Sequence, residues 1–473
     1  MSHEGVAKNL TILVNIAAVQ LTDRPGRREG WTLGVAAAPF GRYGSAMASR
    51  PSASSPQPGP HPGLGFVPFV LMIAALQAMA ALGVDSMLPN LPAMSDTYHL
   101  TQDNERQLVI TAYLIGFGLP QIVYGPLADR FGRKPVLLAG CAVYVVFSAL
   151  AAFSPSFPLL IAARALQGMG AAATRALPNS IIRDCYAGRQ MAKVMSLSFM
   201  IFMAVPMLAP SLGAAIALFA SWRWVFGVLT VFGALVAVWV AFKLPETLHE
   251  EDRTPIRLSR MAHSFGVALK SRQGMGYAAA MTFLIGALFG FVNSVEQVFH
   301  EVFAQPAVFP IAFALMAGCM SLSSLCNAWL VGRMGMRPLS HRALLAFIVI
   351  SGVHAAIAVT GHETVVTFSV LQAVAMFAFG LMSGNFGAMA MEPMGHVAGA
   401  AASLQGTLSA LGGSLIGFYI GQQFNRTTVP ITVGYFLCGV GALLCVLYAE
   451  RGKLFQTHHG AHPTAEPAAA EAH

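Results

Sequence analysis

The feature that most constrains the fold of this chain is a series of about twelve apolar runs. Their limits are close to 66–91, 106–126, 135–153, 157–178, 190–218, 222–243, 275–299, 307–331, 341–360, 364–390, 398–421 and 429–449. A helix needs about 20 mainly apolar residues to cross the hydrocarbon core of a bilayer, and each run comes close to or exceeds that length. Only 10% of the residues are charged, whereas soluble domains carry about 25%. The sequence therefore predicts an all-α polytopic membrane protein with about twelve transmembrane helices.

One long hydrophilic interruption divides the runs six and six. The sequence predicts an N-terminal six-helix bundle over 63–243, a cytoplasmic central loop over 244–274 and a C-terminal six-helix bundle over 275–450. Residues 1–62 are rich in Gly, Pro, Ser, Ala and Arg, and residues 451–473 form a tail with Pro, Ala, Glu and His. Both ends are predicted to be disordered, because such compositions bury little apolar surface.

Lysine and arginine predict the orientation, because loops that stay in the cytoplasm carry an excess of them. With both termini in the cytoplasm, the inner loops and tails hold all but five of the 28 Lys and Arg residues. Arg106, Arg223 and Arg426 fall in outer loops, and Arg164 and Arg175 fall inside the fourth run. This distribution explains the net charge of +8 without a nucleic-acid partner.

A short polar segment, residues 125–135 with the sequence GPLADRFGRKP, separates the second run from the third. It predicts a tight hairpin at the water interface, and a merely solvated loop is the alternative. The segment resembles the loop between the second and third helices of the major facilitator superfamily, whose fold is two pseudo-symmetric six-helix bundles. There the acid and its basic neighbours hold the two halves together on the cytoplasmic side while the cavity faces outward. The resemblance implies a gating latch at Gly125, Asp129, Arg130, Gly132 and Arg133.

A weaker copy of this segment follows the eighth run, which supports two repeated halves. The copy has the sequence RMGMRP from Arg333 to Pro338, against RFGRKP in the first half. Gly332 stands where the first hairpin has its aspartate. This loss suggests that only the first hairpin acts as a latch.

Asp85 is an acid inside the first run, in the sequence DSMLPNLP. A charge at the centre of a membrane helix costs about 2.5 to 3.5 kcal/mol on insertion scales, so it rarely persists without a role. Burial would favour the neutral acid and let it load and release a proton near neutral pH. An acid at the helix end that faces outer water is the alternative. The motif is similar to the first helix of the drug:proton antiporters of this superfamily, especially the bicyclomycin-resistance (Bcr/CflA-like) group, where the acid is tied to proton coupling and cationic substrates.

Arg164 lies about seven residues into the fourth run, too deep to reach the surface easily. A buried guanidinium needs an acceptor, and we expect Asp85 to be that partner. The sequence RALQGMG resembles the fourth-helix motif of the family, in which the arginine assists proton transfer, and Gln167 would extend the polar network. A purely structural ion pair is the alternative.

The sequence leaves open the roles of two further charged residues inside the runs. Arg175 follows Arg164 by about three helical turns and lies on nearly the same face, so it either lines the cavity or extends to the cytoplasmic interface. Glu296 lies near the outer end of the seventh run and either binds a cationic substrate or a second proton, or is an exposed acid at a helix end. Close members of the bicyclomycin-like group usually have an apolar residue at this position, which leaves the substrate class open.

The fifth run contains Pro206, Pro210 and Gly213. Two prolines kink a helix, and a glycine lets a neighbouring helix approach closely. The pattern resembles the antiporter motif of the drug-efflux branch, and an ordinary kinked helix is the alternative. It is the main sequence argument for export over uptake.

Together these features predict proton-coupled efflux of lipophilic or cationic small molecules across the bacterial inner membrane by alternating access. An exporter or importer dedicated to one metabolite is the alternative, and a non-transporting membrane sensor is a further one. The chain has no Walker sequence, no arrangement of nucleophile and base, and no cysteines with metal-ligand spacing. We therefore expect no enzyme activity, no metal and no cofactor, with the proton gradient as energy source. The expected partners are substrate, protons and membrane lipid, and the protein is expected to be a monomer.

Overall fold

The computed structural model describes residues 63–102, 104–253 and 258–455. These ranges fold into helices joined by short turns and contain no β-strand. The first predicted tail, residues 1–62, and residues 456–473 of the second tail lie outside the described residues.

Within the described residues, the first half of the chain forms eight α-helices. They are α1 (Phe66–Asp85), α2 (Leu91–Tyr98), α3 (Leu108–Gly118), α4 (Gln121–Phe131), α5 (Arg133–Ala152), α6 (Phe157–Cys185), α7 (Gly188–Phe219) and α8 (Arg223–Lys243). Helix α1 ends at Asp85, and a 3₁₀ turn at Leu88–Asn90 leads into α2. Pro89 and Pro92 lie in the first turns of these two segments, where a missing backbone N–H costs no hydrogen bond.

The central loop and the second half form eight more helices. They are α9 (Leu258–Lys270), α10 (Arg272–Gln297), α11 (Phe309–Met334), α12 (Met336–Val359), α13 (Val365–Met391), α14 (Ala398–Thr407), α15 (Gly413–Gln422) and α16 (Val429–Ala449). A π-helical segment, Val298–Val302, extends α10, and another, Leu408–Gly412, joins α14 to α15. The predicted central loop is thus partly helical, because α9 lies within it.

Helices cover all twelve predicted runs. Within the described ranges, nine helices are long and apolar enough to cross a membrane, and the bent pair α3–α4 is a tenth candidate. The fourth run, α6, is outside this set and contains Arg164 and Arg175. The eleventh run, which α14, a π-helical segment and α15 cover, is also outside it. The predicted all-α membrane class is confirmed, with ten candidate spans by length and composition rather than twelve.

The two halves repeat one structural detail at their hairpins. Gly132 ends α4 and precedes α5 with a φ of 99°, and Gly335 ends α11 and precedes α12 with a φ of 81°. Residues with side chains rarely adopt this backbone conformation, so each hairpin depends on its glycine. We call the end of the molecule that carries residues 125–135 the hairpin side, and the opposite end the far side.

Candidate functional site

A cavity of about 350 Å³ lies at the centre of the molecule, between the two halves. Its volume is within the range of about 300 to 1,000 Å³ that is typical of sites for drug-sized ligands. Aromatic, methionine and aliphatic side chains from α1, α3, α7, α10, α11 and α13 form most of the wall. The two charged residues in the wall are Asp85 and Arg175.

Asp85 is the last residue of α1 and is 7% exposed. It lines the central cavity and does not face open solvent. Within the described part of the chain, its carboxylate makes no hydrogen bond and no ion pair. The cavity therefore contains a carboxylate that no basic side chain among the described residues neutralises.

The expected ion pair between Asp85 and Arg164 is absent from the described residues, so that prediction is wrong. Arg164 is fully buried, and its Nη2 donates to the carbonyl oxygen of Gly83 at 2.8 Å, while its Nε donates to the carbonyl oxygen of Val109 at 3.0 Å. The Gly83 carbonyl belongs to the last turn of α1, where helical carbonyls have no partner further along the helix. The guanidinium thus satisfies backbone acceptors and ties α6 to α1 and α3.

The remaining contacts of Arg164 form a buried polar chain. Its Nη1 donates to Gln167 Oε1 at 2.6 Å, and Gln167 Nε2 donates to Ser148 Oγ at 2.6 Å. The guanidinium also lies 4.4 Å from the ring centroid of Tyr113, at cation–π distance. Gln167 extends the network as predicted, but the network links α6 to α5 and does not line the central cavity.

Arg175 is placed at the boundary of two cavities. It lines the central cavity and also a second cavity of about 660 Å³ between the halves on the hairpin side. Its Nη1 donates to Gln77 Oε1 at 3.3 Å, and its guanidinium lies 5.0 Å from the ring centroid of Phe202. Among the described residues it has no acidic partner. Of the two alternatives from the sequence, this placement favours cavity lining.

Glu296 is buried, so it is not the exposed acid that the sequence offered as one alternative, and it lies outside the central cavity wall, so it does not contact a substrate there. Its role as a second proton site stays a prediction. Its Oε2 is 3.5 Å from Arg106 Nε, and Arg106 Nη2 also pairs with Glu301. Arg106 belongs to the first half and the two acids to the second, so these ion pairs join the halves on the far side. The sequence offered little signal for this cluster, because about 190 residues separate the arginine from the acids.

Amide side chains extend this contact into a seam between the halves on the far side. Asn104 Nδ2 donates to the carbonyl oxygens of Gln422 and Phe424 at 3.0 and 3.1 Å, and Gln107 Nε2 pairs with Gln297 Oε1. We call the contacting residues the far-side seam: Asn104, Arg106, Gln107, Thr111, Asn293, Glu296, Gln297, Glu301 and Gln422. The halves are therefore in direct contact on the far side, while on the hairpin side a cavity lies between them beside the contact of α4 with α14.

The ion pairs of the predicted latch lie within the first half. Arg133 Nη1 is 2.6 Å from Asp129 Oδ1, and Arg133 Nε is 3.2 Å from Asp184 Oδ2 at the end of α6. The carboxylate of Glu246 accepts the backbone N–H of Arg133 at 2.8 Å, which caps the N-terminus of α5. A side chain at Gly132 would overlap this carboxylate.

Two further residues of the predicted latch, Arg130 and Gly125, make contacts of other kinds. Arg130 is exposed, and its guanidinium lies 5.3 Å from the ring centroid of Phe131. Gly125 faces Ser403 of the second half, whose Oγ would be 3.5 Å from an added Cβ. The contact of α4 with α14 is thus the place where the latch segment approaches the other half. The gating role itself stays a prediction.

The second hairpin has a charge cluster of its own, although its loop lacks the aspartate. Arg337 Nη2 is 2.7 Å from Glu392 Oε2, and Arg337 Nε is 2.9 Å from Glu450 Oε1. Tyr277 donates its hydroxyl to Glu450 at 2.7 Å. Burial acts to raise the pKa of Glu450, but hydrogen bonds from Tyr277 and Arg337 outweigh it and lower the pKa below its usual value. Glu392 at the end of α13 and Glu450 at the end of α16 thus take the place of the aspartate that this loop lacks.

The predicted antiporter segment packs next to Asp85. Pro206 and Pro210 both lie inside the continuous helix α7, and Pro206 lines the central cavity. A side chain at Gly213 would overlap the carbonyl oxygen of Ser86, and the carbonyl oxygen of Gly213 accepts a hydrogen bond from Asn90 Nδ2 at 3.0 Å. The glycine therefore permits the close approach of α7 to the end of α1.

Comparison with known proteins gives a consistent result. The family model described as Major Facilitator Superfamily matches residues 73–417. The uncharacterized MFS-type transporter YdgK of Bacillus subtilis is 32% identical over 376 residues, covering 78% of this chain and 92% of that protein. The bicyclomycin resistance protein homolog of Haemophilus influenzae is 29% identical over 383 residues, covering 80% and 95%. The partially occluded inward-open structure of the E. coli xylose transporter XylE shares the fold, with a TM-score of 0.62 and 14% identity over 82% of this chain and 97% of that one. The chain belongs to the major facilitator superfamily.

Proposed function

We propose that this protein is a proton-coupled exporter of lipophilic small molecules, including drugs. The observation that carries the proposal is Asp85, a buried carboxylate without an ion-pair partner among the described residues, in the wall of an apolar cavity shared by both halves. Such a group can either hold a cationic ligand or take up a proton, because each removes its buried charge. The antibiotic-resistance name of the Haemophilus influenzae relative supports drugs as substrates.

The state of the two cavities supports a direction for transport. The far-side seam is closed, while on the hairpin side a cavity lies between the halves beside the contact of α4 with α14. We place the hairpin side in the cytoplasm because nearly all Lys and Arg residues outside the runs would then be cytoplasmic. In this orientation the described state admits substrate from the cytoplasm.

The proposed cycle needs no covalent chemistry. Substrate enters from the cytoplasm and binds at Asp85, and the halves then rock so that the far-side seam opens and the hairpin side closes. A proton from outside neutralises Asp85, which weakens its hold on the substrate and releases it outward. The hairpin latch then releases, and Asp85 delivers its proton to the cytoplasm. The proton gradient supplies the energy, and the protein works without a cofactor, as a monomer in the bacterial inner membrane.

Substrate-driven proton movement tests the proposal. The purified protein is placed in proteoliposomes with an acidic lumen and a pH-sensitive dye, and proton release is measured on adding zwitterionic rhodamine B or its cationic ethyl ester. Wild type should release protons with at least one dye. Asp85→Asn should abolish this release, because an amide cannot carry a proton through the cycle. Asp96→Asn, which alters an exposed acid eleven residues further on, is the matched control and should behave as wild type.

Two results would contradict the proposal. If Asp85→Asn still releases protons at the wild-type rate, Asp85 is not the coupling residue. If wild type moves neither dye, export of lipophilic molecules is refuted.

A further inference from the structure

The central cavity contains two opposite charges that do not neutralise each other. Asp85 and Arg175 both line it, and within the described ranges no ion pair joins them. The rest of the wall is mainly apolar, with Phe, Met, Leu, Ile and Val side chains. A charge in such a mainly apolar wall costs free energy when it has no oppositely charged partner, so each of the two indicates a use.

The structure holds the two charges apart along α1. Arg175 is anchored to Gln77, which lies eight residues before Asp85 on this helix. At 1.5 Å per residue, Gln77 and Asp85 are about 12 Å apart along the helix axis. Arg175 lies at the boundary with the hairpin-side cavity, and Asp85 lies towards the far side. A ligand that reaches both charges therefore needs its own two charges separated by roughly 10 Å or less, since the side chains extend towards it.

The charge balance of this wall disfavours a simple cation. A monovalent cation would neutralise Asp85 but leave the guanidinium of Arg175 unpaired and repelled by the ligand, and a simple anion would leave Asp85 unpaired. A molecule with both a basic and an acidic group satisfies both residues at once. Its apolar body would fill the aromatic and methionine-rich wall.

We infer that the preferred substrates of the central cavity are amphoteric molecules, with an apolar body, a cationic group that binds Asp85 and a carboxylate or similar acid that binds Arg175. This inference rests on the proposed export function and narrows its substrate class. It also gives Arg175 a part in release: once Asp85 is protonated, the ligand's cation faces only the positive charge of Arg175.

A matched pair of dyes tests the inference. Rhodamine B carries a delocalised cation and a free carboxylate, whereas its ethyl ester carries the same cation without the acid. Dissociation constants are measured by fluorescence anisotropy on the purified full-length protein. Wild type should bind rhodamine B at least tenfold more tightly than the ester. Fluorescein, which has the carboxylate without the cation, should bind at least tenfold more weakly than rhodamine B.

Variants at Arg175 then test whether its guanidinium binds the acidic group of the ligand. Arg175→Gln should weaken rhodamine B about tenfold and leave the ester unchanged or tighter, and Arg175→Lys should restore part of the preference. Arg342→Gln, an exposed arginine outside both cavities, is the control and should match wild type. Thermal unfolding of each variant confirms that the protein is folded.

The results distinguish the inference from the proposed function. If wild type binds and exports the ester as well as or better than rhodamine B, the amphoteric preference is refuted while proton-coupled export stands. If Arg175→Gln weakens both dyes equally, Arg175 is structural and the inference fails. If wild type neither binds nor exports either dye, both proposals fail.

Discussion

Removing Arg106 should open the far side of the transporter. Arg106 is the basic residue of the buried ion pairs in the far-side seam, with a side chain only 8% exposed, and it contacts Glu296 and Glu301 of the other half. Arg106→Gln removes both pairs and leaves two acids facing each other in the closed state. The closed state is therefore destabilised relative to the open one, in which water can reach the acids.

The size of the effect follows from these contacts. Hydrogen bonds to charged groups contribute about 1.5 to 3 kcal/mol each. The Glu301 pair is hydrogen-bonded and the Glu296 pair is longer, at 3.5 Å. We therefore expect a total of about 2 to 3 kcal/mol, which shifts the equilibrium towards the open far side by about 30-fold to about 160-fold.

Thiol accessibility measures this shift. Thr111 is 3% exposed and lies in the seam, where its hydroxyl contacts Asn293 Oδ1 at 3.4 Å. With the six native cysteines replaced, Thr111→Cys is labelled from outside by a membrane-impermeant thiol reagent, with and without Arg106→Gln. The labelling rate reports the open fraction, and Arg106→Gln should raise it at least tenfold.

Arg426 provides a matched control on the same acid. Its Nε is 3.7 Å from Glu301 Oε2, but its side chain is 70% exposed, and exposed ion pairs contribute only about 0 to 1 kcal/mol. Arg426→Gln should therefore change the labelling rate less than fivefold. Equal rates for the two arginine variants, or slower labelling of Arg106→Gln than of the parent, would refute the role of the buried pairs.

Two further predictions concern the hairpin side. Asp129→Asn should slow the transport turnover number severalfold but leave the substrate dissociation constant within about twofold, because Asp129 lies in the hairpin-side cavity and outside the central one; lost affinity with normal turnover would contradict the latch. Glu450→Gln should lower the melting temperature at pH 7, because a carboxylate with a lowered pKa stabilises the fold above its unfolded-state pKa of about 4.5. This stabilisation disappears as the pH falls through the folded-state pKa, so the melting temperatures of Glu450→Gln and wild type should converge as the pH falls below 4.5. A constant difference across pH would exclude an ionic contribution.

The architecture was predictable because the bilayer constrains the length and apolar character of each helix. The runs, their division into two halves and the hairpin at residues 125–135 all follow from apolar patterning and from glycine and proline. The helical part of the central loop was missed, because α9 is amphipathic and too short to span. Its Ala268 is buried against Met394 and Ala401, and such tertiary contacts cannot be read from local sequence.

The site was predictable in its residues but less so in its pairings. Sequence identified Asp85, Arg164 and Arg175 as candidate site residues, because charges inside apolar runs are visible. It paired Arg164 with Asp85 because an acid is the obvious partner of an arginine. The actual acceptors are backbone carbonyls at Gly83 and Val109, which every residue carries and which no sequence pattern marks. The contact of Arg106 with Glu296 was missed for a similar reason, since only the docking of the two halves brings these residues together.

The bonds of the far-side seam determine how its closure depends on salt concentration. Most of its bonds join neutral amides, such as Asn104, Gln107, Gln297 and Gln422, and its main ion pairs are buried. Neutral bonds are not screened by dissolved salt, and buried charges are screened far less than exposed ones. The far-side seam should therefore close about as firmly at low salt concentration as at high salt concentration.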